Sequence, residues 1–154
     1  MFSWVTRRKK GNAELMEPFR YDDDLTLDWD ADCEAWAAAL PDLGRDARIH
    51  ISPRFGSGHP RAESCALIVQ AMRRAPTLNE AAIGYLIDHC SEFVRSAHRH
   101  ELSSASFTPV GMEIFEHEES PGEYSLTYDP AFDEGAIWRV RFGNHEPIGW
   151  SHDV

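Results

Sequence analysis

The chain is short of cations, of cysteine and of long apolar runs. Lys and Arg total 15 against 26 Asp and Glu, for a formal net charge of −11. Such a field repels phosphate backbones and anionic membrane surfaces, which argues against nucleic acid or a membrane as a partner and favours a basic protein. The three cysteines, Cys33, Cys65 and Cys90, are an odd number and include no C-x-x-C pair. They form no disulfide framework, and the expectation is reduced thiols in a cytoplasmic protein. No segment approaches the ~20 apolar residues of a membrane-spanning helix. The basic run "RRKK" at 7–10 is not followed by an apolar stretch, so it does not read as a secretion signal. It reads as a solvated end or an exposed strand edge.

Several catalytic and cofactor signatures are also missing. There is no G-x-x-x-x-G-K-[ST], no G-x-G-x-x-G and no G-x-S-x-G elbow. The closest histidine groupings, His89-Cys90 and His98-x-His100, lack a second pair at zinc-site spacing. The stretch "DWDAD" starts like a calcium loop, but the sixth position is Cys33 instead of Gly and the twelfth is Ala39 instead of Glu. No catalytic residue, cofactor or metal site is assigned on these grounds.

What is present is the length of one domain, 154 residues, with 42% hydrophobic residues. Three zones differ in pattern. In the first, "ARIHIS" at 47–52 alternates like a strand, with Ile49 and Ile51 on one face. The preceding "EAWAAAL" is open to two readings. Its alanines favour a short helix capped by Asp32; the turn residues Pro41, Asp42, Gly44 and Asp46 favour a strand pairing back onto 47–52. The second zone is helical. Cys65, Ile68, Val69 and Met72 form one apolar stripe, and "TLNE" at 77–80 is a capping box opening a second helix. Helices are expected at 62–74 and 78–98, with Pro76 ending the first. In the third zone, Tyr124, Leu126 and Tyr128 share one face and Trp138, Val140 and Phe142 another, around turns at Pro121-Gly122 and Gly143-Asn144. The expected fold is a single α+β domain over 1–154. An antiparallel β-sheet carries two consecutive helices on one face, and a strand meander closes the C-terminus.

The most unusual stretch is "YDDDLTLDWDADCE", with carboxylates at Asp22, Asp23, Asp24, Asp28, Asp30, Asp32 and Glu34. From Leu25 it alternates strictly, placing Asp28, Asp30, Asp32 and Glu34 on one parity. Extended, they would form a row at roughly 6.6 Å spacing. Neighbouring pairs repel by about 0.6 kcal/mol in water. These seven residues are the candidate partner-binding site. The loop "FGSGHP" at 55–60, with His59 and His89, is the candidate for a small-ligand or enzymatic alternative.

The pieces "FRYDDDLTLDW", "ARIHIS" before a helical pair, and "YDPAFDEGAIWRVRFGNHEPIGW" together resemble a group of small bacterial α+β domains. Some members of that group are immunity proteins of polymorphic toxin systems. The resemblance implies a protein that binds and neutralises a cognate, basic toxin. It carries no catalytic residue onto any position.

Overall fold

The computed structural model describes residues 16–56, 58–90, 93–94, 102–116 and 121–153. The basic run at 7–10 and the pair His98/His100 lie outside them. Eight strands lie in one sheet in sequence order: β1 Phe19–Arg20, β2 Thr26–Asp30, β3 Ala35–Ala39, β4 Arg48–Ser52, β5 Phe107–Phe115, β6 Glu123–Pro130, β7 Ile137–Gly143 and β8 Glu146–Asp153. Between β4 and β5 come the helices α1, Ala62–Arg73, and α2, Ala75–Cys90. The class is α+β, with strands running to the C-terminus as expected.

Every neighbouring pair is antiparallel except β4 and β5, which run parallel with Ile49 opposite Met112 and Ile51 opposite Ile114. The difference from a purely antiparallel sheet has a simple cause. The helices occupy the connection between β4 and β5, and a parallel pair requires such a crossover. Two four-stranded meanders are thus joined edge to edge through the helical pair.

The helices cover one face. That face carries Leu27, Trp36, Ile49, Ile51, Met112, Leu126, Val140 and Phe142, all essentially without solvent contact. They meet Cys65, Ile68, Leu78, Ala82 and Leu86 from the helices in one core. The stripe read from the sequence holds: Cys65, Ile68 and Val69 are buried and Met72 is half-buried. Two polar contacts orient the layers. Tyr128 donates its hydroxyl hydrogen to Asn79 Oδ1 of α2 at 2.8 Å. Tyr124 Oη lies 2.8 Å from His145 Nδ1, whose ring reaches Gln70 of α1 at 3.2 Å.

Helix limits differ from expectation at both ends of the second helix: it closes at Cys90, Phe93 and Val94 are not helical, and the rest of the expected stretch to His98 lies outside the described residues. The second helix starts at Ala75, so Thr77 lies inside its first turn instead of at its cap. Arg74 alone separates the two helices. Pro76 stops α1 but also suits the first turn of α2, where a missing N–H costs nothing. Residues 35–39 are a strand, paired to both neighbours. The α1 N-terminus has no side-chain cap of its own. Glu116, just past β5, supplies one: its carboxylate accepts from Arg61 N at 3.0 Å and from Arg61 Nε at 2.9 Å. Its own N–H donates to Ser52 O of β4.

Candidate functional site

The acidic stretch occupies the outer end of the sheet. Its alternation runs only to Asp30. Leu25 and Leu27 are buried toward the helices, and Thr26 and Asp28 are exposed on the opposite face. Beyond Asp30 the chain turns through 31–34 into β3, so the continuous row of four carboxylates does not form. Asp30 causes the break. Its Oδ1 accepts from the backbone N–H of Asp32 at 3.0 Å and of Cys33 at 3.2 Å, an Asx turn that competes with continued strand. Glu34 completes the turn with φ of 51°. Asp22 does the same in the β1–β2 connection, accepting from Asp24 N at 2.8 Å and Leu25 N at 2.9 Å.

Two of the seven acids are therefore turn formers, half-buried. Two more are ion-paired: Asp23 with Arg20, and Asp24 with Arg73 of α1 at 3.1 Å. These are exposed pairs, worth about 0–1 kcal/mol each. Asp28, Asp32 and Glu34 are exposed and have no ion-pair partner among the described residues. Alternation in the sequence could not separate these roles, because an Asx turn depends on where the strand stops.

The turn brings together a group that sequence spacing did not single out. One donor atom each from Asp30, Cys33 and His50 lies within 4.8 Å of the others. His50 Nε2 stands 3.7 Å from Asp30 Oδ2. That nitrogen is closed off from solvent and has no hydrogen-bond partner. Burial works to raise the Asp30 carboxyl, but hydrogen bonds from Cys33 and Asp32 and the nearby His50 outweigh it and hold it below its ordinary value. The Cys33 thiol is pushed up by burial and by the charges of Asp30 and Asp32. Cys33 is therefore not an activated thiolate.

The alternative loop at 55–60 is tied to the core through two aromatic residues. Trp36 Nε1 donates to Gly58 O at 2.9 Å, and the His59 ring packs 4.7 Å from Phe19 and 5.7 Å from Trp36. His89 stacks on Tyr85 at 3.9 Å within α2. Among the described residues, clefts of about 620 and 570 Å³ open on the surface, and neither of these is lined by His59 or His89. The first contains the Arg61–Glu116 pair. The second lies on the sheet face away from the helices, where Arg139 pairs with Glu113 at 3.1 Å and with Asp153. Burial works against the Arg139 charge, yet these two carboxylates outweigh it and raise its pKa. The lining of the second cleft balances two cations with two carboxylates, whereas the first also carries Glu63 and Glu123 beside the Arg61–Glu116 pair.

No helix among the described residues is long and apolar enough to cross a membrane. Comparison with protein-family models, with curated protein sequences and with solved structures gave no match.

Proposed function

We propose that the chain is a cytoplasmic binding protein whose acidic end docks a basic protein partner, most concretely an immunity protein that neutralises a cognate bacterial toxin. One observation carries the reading. Asp28 on β2 and Asp32 and Glu34 in the β2–β3 turn are exposed and make no ion pair among the described residues, in a chain of net charge −11. Asp23 and Asp24 stand exposed on the adjacent β1–β2 connection, held only by surface pairs that a partner's Lys or Arg can displace. Uncompensated charge on a rigid hairpin costs stability through self-repulsion and serves association by steering an opposite charge. The resemblance of "FRYDDDLTLDW" and the C-terminal strands to immunity domains supports the same reading. The test is co-expression with the protein encoded in the adjacent reading frame. Growth arrest by that protein alone, relieved by this chain, is the expected result. A neighbour that is harmless, or whose toxicity this chain leaves untouched, removes the immunity assignment.

A further inference from the structure

We propose that Asp30, Cys33 and His50 form a binding site for a divalent metal ion of the zinc class. The site stands independently of the partner proposed above.

The fold assembles it in two steps. The Asx turn closed by Asp30 Oδ1 brings Cys33, three residues on, back beside the same carboxylate. This leaves Oδ2 unengaged by the turn and facing His50. The sheet register then supplies the imidazole. Ala37 of β3 lies opposite both Asp28 of β2 and His50 of β4, and Ala35 lies opposite Asp30. Asp30 and His50 thus flank β3 on the face away from the helices. The residues between them on that face, Ala35 and Ala37, carry single methyl groups. The two flanking side chains meet above the strand, which larger residues at these positions would prevent.

The spacing suits an ion better than a direct bond. At 3.7 Å, His50 Nε2 and Asp30 Oδ2 are too far apart for a good hydrogen bond, yet Nε2 is sealed from water and lacks any other partner. Zinc binds N and O donors at about 2.0–2.2 Å and S at about 2.3 Å, which sets tetrahedrally placed donors about 3.3–3.6 Å apart. All three donors already lie within 4.8 Å of one another, so small side-chain rotations close the site. The donor types select the metal. Calcium and magnesium take oxygen ligands, whereas thiolate and imidazole together suit zinc. Cys33 is exposed, which gives an entry path, and it would release its proton to solvent on coordination. The fourth position is open to water or to the neighbouring Asp32. Bound metal would fasten the β2–β3 turn to β4.

The test uses the full chain, stripped with a chelator and titrated with Zn²⁺ by calorimetry, with Co²⁺ as a spectroscopic probe. Two variants preserve the fold. Cys33→Ser changes an exposed side chain, and Asp30→Asn keeps the oxygen that closes the turn. The wild type should take up Zn²⁺ with a component that each variant weakens at least about tenfold. Co²⁺ should give a thiolate charge-transfer band that Cys33→Ser abolishes. Zn²⁺ should slow alkylation of Cys33 in the native protein, and chelator should restore it. Equal zinc affinity in the wild type and Cys33→Ser, unslowed alkylation, or no uptake by the wild type would each overturn the assignment; the first would place any bound zinc on other histidines.

Discussion

Replacing Glu116 by alanine isolates the contact that joins the helical crossover to the sheet. Its side chain is 1% exposed, while that of Arg61 is 46% exposed. The substitution removes two charge-assisted acceptor contacts, to Arg61 N and Arg61 Nε. Hydrogen bonds to charged groups are worth about 1.5–3 kcal/mol each, and losing one partner of a fully buried pair costs about 3–5 kcal/mol. Arg61 can rehydrate because it is nearly half exposed, so the lower part of that range applies. The freed N–H at the start of α1 adds a cap-like loss of about 1 kcal/mol. Together these give about 4 kcal/mol, or roughly 8–16 °C in Tm at this chain length. Glu116→Gln keeps an acceptor for Arg61 N and should lose about half as much. Urea unfolding and calorimetry provide the measurement, with Asp28→Asn as the comparison. Both variants remove one negative charge from a −11 chain, but only Asp28 is exposed and unpaired among the described residues, so its removal should leave stability unchanged or slightly higher. If Glu116→Ala stays within about 0.5 kcal/mol of the wild type, the capping argument fails.

Gly111→Ala should destabilise by about 1–3 kcal/mol in urea, because its Cβ would stand 2.6 Å from the backbone oxygen of Arg48 in the parallel β4–β5 pair; an unchanged midpoint would show that this pair is looser than described. Tyr128→Phe should cost about 1 kcal/mol through the lost bond to Asn79. Burial holds the Tyr124 and Tyr128 phenols well above their ordinary 10.0 and pushes the Cys65 thiol up to about 12. The folded chain keeps these protons at a pH where the unfolded chain releases them. Stability should therefore be complete below about pH 9 and fall as pH rises above it, less steeply in Tyr128→Phe; a flat profile to pH 11 contradicts the burial. Finally, a thiol reagent should modify Cys33 in the native protein, and Cys65 and Cys90 only after unfolding, since both are fully buried and unbridged; fewer than three thiols in the denatured, non-reduced chain would refute this.

The strands and helices with a buried face were legible because burial imposes a period. Trp138, Val140 and Phe142 alternate into the core, and Cys65, Ile68 and Val69 recur at helical spacing. The residues 35–39 were ambiguous because alanine fits either element; the pairing with Ile49 and Ile51 on β4 decided for strand. The start of α2 was misplaced at the Thr77 capping box because the chain continues from Arg74 with a single-residue break, and Pro76 serves both helices. Within the acidic stretch the sequence located the charge but not its division. Asp22 and Asp30 differ from Asp28 and Asp32 only in the backbone they close, and local composition does not report that. In the sequence His50 shows only as a residue of the parity opposite Ile49 and Ile51. Its convergence with Asp30 depends on the register across β3 and on the small side chains of Ala35 and Ala37, a long-range fact with no local signature.

The central claim is that the acidic hairpin steers a basic protein onto this chain. The direct measurement is the association rate with the cognate partner at two salt concentrations, for the wild type and for the combined variant Asp28→Asn, Asp32→Asn and Glu34→Gln. None of these three side chains accepts a turn-closing hydrogen bond, none has an ion-pair partner among the described residues, and Gln at 34 leaves the backbone of the turn as it is, so the variant should fold with equal or slightly greater stability. Its on-rate should fall on the order of threefold to tenfold at low salt, with a flatter salt dependence and a smaller change in dissociation. An on-rate and salt slope equal to those of the wild type would mean that the acids only solvate the domain.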